Sequence, residues 1–513
     1  MILLLHNSEQ ITSCLVNGKE LPSFKGSSLI NSFFDIAKAY PEELLVWAHE
    51  TYKDHINEVA LSEIFHHQRI MASYTFSSYL PETIGYIEHS PFIKVNFDVT
   101  YPTWRMHQDI GGMFSSALLA LEHSIQKSQN FNTVLHSLGK IGQSQGLLCY
   151  SEPKLLKPDV AIKQVPDLKA TTTDLFNFVA KHYKWVWKHF LLINYSIYRS
   201  RFPLAALLKS CFNSQFPAKI NLLEQVPLPL LKPIDTSKIN LDVIIPTIGR
   251  KAYLYDVLTD LAHQTLLPKR VIIVEQNPDT GSKSELDYLQ TKTWPFKIIH
   301  QFTHRTGACN ARNVALDLVK ADWVFLADDD NRFQDTLLEE AFQTIETLKL
   351  KCLTTVYLQS DEENSNINYQ QWSTFGAGNS FVNFKLVNNI RFHSGLEHGY
   401  GEDVDFGMQL RNLGIDVIYS PKIIIDHLKA PMGGFRTKPN LSWQNAVPLP
   451  KPSPTVLLSK ILHLTPEQVL GYKSLLFFNT LKSKGFHHFF SHLSYFKKAW
   501  ATSLYWAKKL NSN

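Results

Sequence analysis

Three consecutive carboxylates, Asp328, Asp329 and Asp330, follow a short apolar run at residues 323–326. The run predicts a buried strand, and packed like charges at its end are unfavourable unless a cation neutralises them. Carboxylate oxygens suit hard divalent cations, and Mg²⁺ usually shares one or two of them with substrate phosphates. The alternative is an acidic turn that begins the next helix, where negative charge is also favourable. The stretch indicates a cation site, and the surrounding elements strengthen that interpretation.

Alternating strands and helices from residue 241 onward are expected to position these carboxylates. Short apolar runs at 242–246, 271–274 and 297–300 predict strands, and residues 254–261 have the apolar spacing of a helix. This alternation favours a mainly parallel sheet covered on both faces. Ligands bind beyond the carboxyl ends of such strands. The polar residues at these ends are therefore expected to converge on one cleft: Pro246, Thr247, Glu275, Gln276 and the three aspartates.

Further candidates lie in the second half of this region. Residues 375–380 form a loop of mostly small residues that would let a ligand approach the backbone closely. Glu402 and Asp403 precede a predicted helix, so Asp403 is expected at a helix N-terminus. A strand at 423–425 is followed by Asp426 and His427 and then by a glycine-containing loop at 431–436.

With these pieces in order, residues from about 240 to 440 resemble the family-2 inverting glycosyltransferases, which have the GT-A fold. The resemblance covers roughly 200 of the 513 residues. Each piece is weak alone, and the order of all five makes the resemblance strong. The pieces are 243–247 (VIIPT), 274–277 (VEQN), Gly307 with 311–313 (ARN), 327–331 (ADDDN) and 401–403 (GED).

The resemblance implies a role for each matching position. Pro246 and Thr247 would hold the nucleotide near its base and ribose. Asp330 would be the most direct ligand of Mn²⁺ or Mg²⁺, with Asp328 or Asp329 closer to the ribose. The implied metal ligands are Asp328, Asp330 and His427, and His427 would alternatively contact the diphosphate.

The resemblance also implies Asp403 as the catalytic base, with Glu402 beside it placing the acceptor. Arginine suits phosphate oxygens because of its forked donors. Further contacts to the donor are expected from Arg250, Glu275, Gln276, Arg305, Gly307, Arg312 and Arg436.

One departure from the family concerns the second strand, which commonly ends in two aspartates, one of which reads the nucleobase. Here the corresponding residues are Glu275 and Gln276. A neutral glutamine still donates to and accepts from a pyrimidine edge. The expected donor is therefore a UDP- or dTDP-sugar, with uridine and thymidine both left open.

The expected reaction is a single displacement with inversion onto a glycan or lipid-linked acceptor, as in the building of a surface polysaccharide. The cation would act as a Lewis acid on the departing diphosphate, and one carboxylate would take the acceptor proton. The alternative is a catalytically silent partner of another glycosyltransferase. A nucleotidyltransferase would more usually have a Gly- and Lys-rich loop after the first strand, and residues 247–250 offer little of that.

The sequence divides into four predicted parts: 1–160, 161–238, 239–440 and 441–513. Segments at 34–48, 135–139 and 150–155 parallel 316–327, 410–414 and 419–423 in the same order. We therefore expect a degenerate GT-A-like front domain. The alternative is that the similarity between these segments arose by chance. Its residues matching the three aspartates are His49, Glu50 and Thr51, so no metal site is expected there.

The connector at 161–238 and the tail at 441–513 are rich in basic and aromatic residues, which favours peripheral contact with a membrane surface. The alternative is a helical bundle packed on the core. Nucleic acid is not expected, because no recognition motif accompanies the charge. Five scattered cysteines without CxxC spacing, no apparent secretory signal and no spanning apolar run predict a cytoplasmic protein, with the inner membrane face as a further option.

Overall fold

The computed structural model describes residues 1–125, 130–158, 168–216, 221–359, 361–429 and 440–512. The chain forms two compact units, each built from two segments of sequence. The first unit contains Met1–Pro229 and Leu464–Leu475, and the second contains Leu230–His463 and Leu476–Asn513. The predicted site residues all belong to the second unit.

The second unit is built on a sheet of nine strands among the described residues, with the path order β11-β10-β9-β12-β16-β14-β17-β13 and β15 beside β17. Its central strands are buried on both faces, which explains their continuous apolar sequence. The strands are β9 (Leu241–Thr247), β10 (Arg270–Gln276), β11 (Lys297–Thr303), β12 (Trp323–Ala327), β13 (Asn331–Arg332), β14 (Cys352–Leu358), β15 (Gln370–Gln371), β16 (Asn379–Asn383) and β17 (Ile418–His427).

The expectation of a mainly parallel sheet holds for only half of this sheet, which is mixed. Strands β11, β10, β9 and β12 are mutually parallel neighbours. Strand β16 then runs antiparallel between β12 and β14, and β17 is parallel to β14. The chain passes from β14 through β15 to β16 without a crossover helix, so the alternation of strands and helices that predicts parallel pairing is interrupted there.

Helices cover this sheet and continue into the C-terminal segment. The helix predicted at 254–261 is α8, and its apolar face (Leu254, Val257, Leu258 and Leu261) is fully buried. The helices are α8 (Lys251–Ala262), α9 (Tyr288–Thr291), α10 (Ala308–Leu318), α11 (Leu337–Leu348), α12 (Glu402–Asn412), α13 (Pro454–His463), α14 (Pro466–Lys484) and α15 (Phe489–Asn511). Residues 466–475 of α14 belong to the first unit.

The first unit contains an eight-stranded sheet among the described residues, with the order β3-β2-β1-β4-β7-β5-β8-β6. Its strands are β1 (Ile2–His6), β2 (Ile11–Val16), β3 (Lys19–Glu20), β4 (Leu44–His49), β5 (Ile70–Tyr74), β6 (Tyr101–Pro102), β7 (Ile110–Phe114) and β8 (Leu148–Ser151). Its helices are α1 (Leu29–Ala39), α2 (Glu58–Ile64), α3 (Ser115–Glu122), α4 (Phe131–Ser144), α5 (Thr172–His182), α6 (Val186–Arg199) and α7 (Leu204–Ser210).

Five neighbouring strands of the first sheet have the same order and directions as five strands of the second. Strands β1-β4-β7-β5-β8 run parallel, antiparallel, antiparallel and parallel to their successive neighbours, as β9-β12-β16-β14-β17 do. The two sheets differ beyond this block. The parallel strands β10 and β11 of the second unit have no counterpart there, because β1 is flanked instead by the antiparallel hairpin of β2 and β3.

The ladder registers also agree between the two sheets. We take Trp47 of β4 as equivalent to Leu326 of β12 and follow the paired residues across three successive strand pairs in each sheet. The path leads to Ser151 in the first sheet and to Tyr419 in the second. From that match, residues 151–156 (SEPKLL) align with 419–424 (YSPKII) without a gap. The two similar stretches therefore begin at equivalent positions in the two sheets, but residues 153–155 form a short helical turn after β8, whereas 421–423 continue β17.

Candidate active site

The carboxyl ends of β9, β10 and β12 lie side by side in the second unit because β9 pairs in parallel with both of the others. The loops after these strands open into a cavity of about 500 Å³. Most of the residues singled out from the sequence line it: Pro246, Thr247, Arg250, Gln276, Gly307, Arg312, Asp328, Asp329, Asp330, Glu402, Asp403 and His427. The sheet thus brings together residues that are up to 181 positions apart in the sequence (427 − 246).

Two arginines pair with the three consecutive aspartates and offset part of their charge. Arg250, which precedes α8, donates to Asp329 Oδ1 at 2.5 Å and to Asp330 Oδ2 at 3.0 Å. The buried Arg312 of α10 donates to Asp328 Oδ1 at 2.9 Å. Burial raises the pKa of Asp329 to about 6, although the guanidinium of Arg250 opposes the shift. The excess of negative charge expected at the end of β12 is therefore present, and the two arginine side chains offset part of it.

His427, at the end of β17, faces the same carboxylates. Its Nε2 lies 3.6 Å from Asp330 Oδ1, and this carboxylate raises the pKa of the imidazole. The ring stacks on Tyr357 with centroids 4.5 Å apart. The Tyr357 hydroxyl donates to Asn331 Oδ1 at 2.7 Å and lies 3.2 Å from Asp328 Oδ2. The stack fixes the orientation of the imidazole beside the aspartates.

The donor set fits a divalent cation such as Mn²⁺ or Mg²⁺. Carboxylate oxygens from Asp328 and Asp330 and the imidazole nitrogen of His427 line one cavity, and such ligands suit these ions. Among the described residues, no group of three His, Cys, Asp or Glu side chains is already gathered around a single point. A cation at Asp330 would share or replace the ion pair with Arg250.

Asp403 and Glu402 begin helix α12, and both face the cavity. Burial and the negative charge of Glu402 together raise the pKa of Asp403 to about 7, although Arg312 opposes the shift. Burial also raises the pKa of Glu402. Among the described residues, Asp403 Oδ1 is buried without a hydrogen-bond partner. A carboxylate with a pKa near neutrality and an open acceptor atom is suited to accept a proton.

Glycines keep the cavity open opposite the aspartates. A Cβ at Gly378 would collide with the Asp328 carboxylate and come 3.1 Å from the Tyr357 hydroxyl. Gly307, with φ of 137°, precedes α10, and its N–H donates to Gln276 Oε1 at 2.7 Å. The small-residue loop and the glutamine at the end of β10 therefore shape the cavity wall directly.

Glu397 is a cavity residue that the sequence patterns did not reveal. Its carboxylate accepts hydrogen bonds from the backbone N–H groups of Cys309, at 3.0 Å, and Asn310, at 2.7 Å. It therefore ties the N-terminus of α10 to the segment that leads into α12. A lone glutamate in a loop has no spacing that distinguishes it from a solvated surface residue, so only the fold identifies it.

Three predicted contacts lie elsewhere or beyond the described part of the chain. Glu275 points toward β11, where its Oε2 lies 2.9 Å from His300 Nε2, and it does not line the cavity. Arg305 is exposed in the loop after β11 and also lies outside the cavity lining. Arg436 is outside the described residues.

The C-terminal helices of the second unit pack on the segment that carries Asp403. A Cβ at Gly401 would lie 2.8 Å from the Ser459 Cβ on α13, so the approach is as close as glycine allows. His463, the last residue of α13, lies 2.7 Å from Asp405 Oδ1 on α12, and both side chains are buried. Helix α13, predicted as part of a basic tail, therefore forms part of the support of the site.

A second cavity, of about 320 Å³, shares Asp403, Tyr357, Gly376 and Asn379 with the first. Its remaining lining is mostly neutral. Trp372 stacks on Tyr419 with ring centroids 4.5 Å apart, and several amide and hydroxyl side chains surround this pair, namely those of Thr354, Thr355, Asn364, Ser365, Asn366 and Thr374. Asp403 thus lies between a charged cavity and a neutral one.

Comparison with known proteins identifies the family of this region. Residues 242–402 match the family model described as "Glycosyl transferase family 2". An "Uncharacterized glycosyltransferase" of Haemophilus influenzae is 35% identical over 106 residues, which are 21% of this chain and 34% of that protein. "Glycosyltransferase GlyG" of Streptococcus pneumoniae is 20% identical over 126 residues, which are 25% of this chain and 42% of that protein. The chain therefore spans less than half the length of these curated relatives.

The chain also shows partial similarity to solved structures of TarS from S. aureus. The TarS 1–349 structure in complex with UDP is 19% identical and has a TM-score of 0.32, over 38% of this chain and 61% of that chain. The complex of TarS 1–349 with UDP-GlcNAc is 18% identical and has a TM-score of 0.35, over 46% of this chain and 70% of that chain.

Proposed function

Because residues 242–402 form a glycosyltransferase family 2 domain, we propose that the protein transfers a sugar, with inversion, from a nucleotide diphosphate to a glycan or lipid-linked acceptor. The observation that carries this proposal is a single cavity that contains both the aspartates after β12 and Asp403, whose pKa is raised to about 7. The product would serve the building of a surface polysaccharide.

The donor occupies the larger cavity. Pro246 and Thr247 hold the base and ribose, and Gln276 lies at the same end of the sheet for contact with a pyrimidine of a UDP- or dTDP-sugar. Arg250 and Arg312 supply positive charge on the two sides of the aspartates. When bound by Asp328, Asp330 and His427, Mn²⁺ or Mg²⁺ would stabilise negative charge on the departing diphosphate. Glu397 holds the N-terminus of α10 beside the donor.

Asp403 accepts the proton of the attacking acceptor hydroxyl. The acceptor oxygen forms a bond to the anomeric carbon from the side opposite the diphosphate, and the electrons of the broken carbon–oxygen bond remain on the diphosphate. The raised pKa of Asp403 suits this transfer, because a base with a pKa near the working pH is both deprotonated and basic enough to help. Glu402 beside it places the acceptor and keeps the pKa of Asp403 high.

The neutral cavity on the other side of Asp403 supports a carbohydrate acceptor. Its walls offer an aromatic pair, Trp372 with Tyr419, together with amide and hydroxyl groups. Uncharged sugars bind through such mixtures of apolar faces and hydrogen-bonding groups. An acceptor seated there has its hydroxyl near Asp403, because this carboxylate lines both cavities.

We further infer that the first unit is a diverged copy of the same fold without a donor site. Five strands shared in order and direction, and the gapless match of 151–156 to 419–424, support this. The parallel strands β10 and β11, which in the second unit end beside the donor cavity, have no counterpart among the described residues of the first.

The test is release of nucleoside diphosphate from a panel of nucleotide-sugars, with Mn²⁺ or with a chelator. We expect one or two pyrimidine donors to be turned over in Mn²⁺ only, and Asp403→Asn to abolish turnover. Glu346→Gln is the matched control, because Glu346 is an exposed carboxylate on α11 outside the cavity. A wild-type protein that binds UDP but is as inert as Asp403→Asn with every donor would favour the silent binding partner instead.

A thermal-shift measurement separates binding from turnover. A ligand present at 100 times its dissociation constant stabilises the folded state by about 2.7 kcal/mol. We expect UDP or dTDP to raise the melting temperature with Mn²⁺ present, and Asp403→Asn to keep that shift. If no nucleoside diphosphate raises the melting temperature, the proposed donor site is wrong.

A further inference from the structure

Helices α6 and α7 of the first unit form a hairpin that carries an unusual amount of exposed apolar surface. A four-residue turn, 200–203, joins them at one end. At the other end, Lys188 Nζ of α6 lies 3.5 Å from Cys211 Sγ, one residue beyond α7. The two helices therefore run side by side in opposite directions, and their outer faces belong to one surface.

The exposed apolar side chains follow helical spacing on both helices. On α6, Val186, His189, Ile193 and Ile197 recur at intervals of three and four residues and are all exposed. On α7, Leu204 and Leu208 are one turn apart, and Phe212 follows four residues later. The most exposed members are Trp185 at 70%, Ile197 at 55%, Phe202 at 64%, Leu208 at 57% and Phe212 at 90%. An accumulation of exposed apolar side chains on a protein exterior indicates a candidate interaction site.

The charge of the same segment has one sign. No Asp or Glu occurs between Leu175 and Leu223, whereas Lys184, Lys188, Arg199, Arg201 and Lys209 all do. Arg199 pairs with Glu467 at 2.8 Å. Lys184, Arg201 and Lys209 are exposed beside the apolar side chains. The surface is therefore complementary to a bilayer interface, in which anionic lipid headgroups cover an apolar hydrocarbon layer.

We propose that the outer face of the α6–α7 hairpin docks on the surface of a membrane that contains anionic lipids. Trp185, Phe202 and Phe212 enter the headgroup region, and the lysines and arginines around them contact lipid phosphates. No helix among the described residues is long and apolar enough to cross a membrane. The docking does not depend on the donor site or on catalysis.

The C-terminal segment is a weaker candidate for this role than its composition suggests. Phe477, Phe496 and Trp500 are buried, whereas Phe490 is 84% exposed and Tyr505 is 61% exposed. Helix α15 packs against α13, and a Cβ at Gly395, in the segment before α12, would collide with the Leu510 carbonyl oxygen of α15. The lysines of the tail thus accompany helices whose apolar faces are largely, but not fully, covered.

The test is flotation of the full-length protein with vesicles of phosphatidylcholine alone or with one quarter phosphatidylglycerol. Leu208→Ser/Phe212→Ser removes two exposed side chains of the hairpin, and Arg201→Glu/Lys209→Glu reverses its charge. Val59→Ser is the matched control, because Val59 is 89% exposed on α2 of the same unit. All four changed hairpin residues are exposed, so the variants are expected to melt at the wild-type temperature.

We expect the wild type and Val59→Ser to float with the anionic vesicles and to float at least tenfold less with phosphatidylcholine alone. Both hairpin variants should lose at least tenfold in the bound fraction on anionic vesicles. Equal flotation of wild type and Leu208→Ser/Phe212→Ser, or no flotation of the wild type, overturns the proposal. So does a lipid-free dimer that Leu208→Ser/Phe212→Ser converts to a monomer, since the face would then bind a second copy of the chain.

Discussion

Replacing Asp403 with asparagine keeps the size of the side chain but removes its ability to take a proton. General-base assistance is worth about 10²–10⁴-fold in rate, so donor turnover should fall by that factor. The pKa of about 7 also sets the pH dependence of the wild-type protein. Below pH 7 the carboxyl is protonated, so kcat/KM should rise about tenfold per pH unit and level off above pH 7.

The same substitution should stabilise the protein at alkaline pH. The ordinary pKa of an aspartate is 3.8, and the folded-state value is about 7. The folded state therefore binds this proton more tightly, and its stabilising effect is lost as the pH rises from about 4 to about 7. About 3 pKa units at 1.36 kcal/mol each give about 4 kcal/mol. Asparagine avoids this cost but leaves one polar atom unpartnered, at about 1–3 kcal/mol, so a net gain of about 1–3 kcal/mol is expected at pH 8.

The assay pairs diphosphate release with urea unfolding at pH 5 and pH 8 for wild type, Asp403→Asn and Glu346→Gln. A lower rate together with a higher free energy of unfolding at pH 8 is the expected combination. If Asp403→Asn keeps more than a tenth of the wild-type rate of diphosphate release, Asp403 is not the catalytic base. If Asp403→Asn lowers the free energy of unfolding equally at pH 5 and pH 8, burial does not destabilise the ionised carboxylate of Asp403.

Substitutions at three further positions test the surroundings of the site. Arg250→Met leaves Asp329 and Asp330 without this cation, so the metal-free protein should lose about 3–5 kcal/mol of stability and regain part of it with Mn²⁺ in a thermal-shift titration. Gly378→Ala places a methyl group against the Asp328 carboxylate and displaces it, and calorimetry should show UDP binding at least about tenfold weaker, or about 1.4 kcal/mol. His463→Leu should cost about 1–3 kcal/mol in urea unfolding because the buried carboxylate of Asp405 loses one side-chain partner and keeps Gln409, whereas His463→Gln should cost less.

Local sequence was sufficient to predict the elements that begin the site. The strand before the aspartates is fully buried as β12, and the helix that begins at Glu402 is present as α12. Both predictions rest on short-range features, namely an apolar run that ends in charge and an acidic helix start. The cavity that unites them follows from parallel pairing of β9 with β10 and β12, which the alternating pattern also predicts.

The sequence did not predict which elements distant along the chain would lie next to one another. Nothing in residues 379–383 indicates that β16 inserts antiparallel between β12 and β14, because the same apolar alternation suits either direction. Glu397 has no local signature, and its partners lie 87 and 88 residues away. The packing of α13 on α12 depends on small contacts at Gly401 and on the pair of His463 with Asp405. Composition alone suggested a membrane role for that helix.

The register match between the two sheets also gives a physical reason why the first unit should not bind a donor. Strand pairing places residues 107–109 (HQD) where the second unit has 376–378 (GAG). In the second unit these small residues leave the cavity open beside Asp328. In the first, Asp109 accepts from the Thr75 hydroxyl at 2.8 Å and lies 3.2 Å from His107 Nδ1.

Side chains thus fill the position in the first unit that a nucleotide-sugar would need. The cavity lined by His107 and Thr75 measures about 10 Å³, which is at the lower limit for a single water molecule. The parallel strands β10 and β11, one of which carries Gln276 to the donor cavity, are replaced there by a short antiparallel hairpin. If the first unit is the diverged copy proposed above, its described residues keep a packed sheet without the space and the parallel strands that would hold a nucleotide.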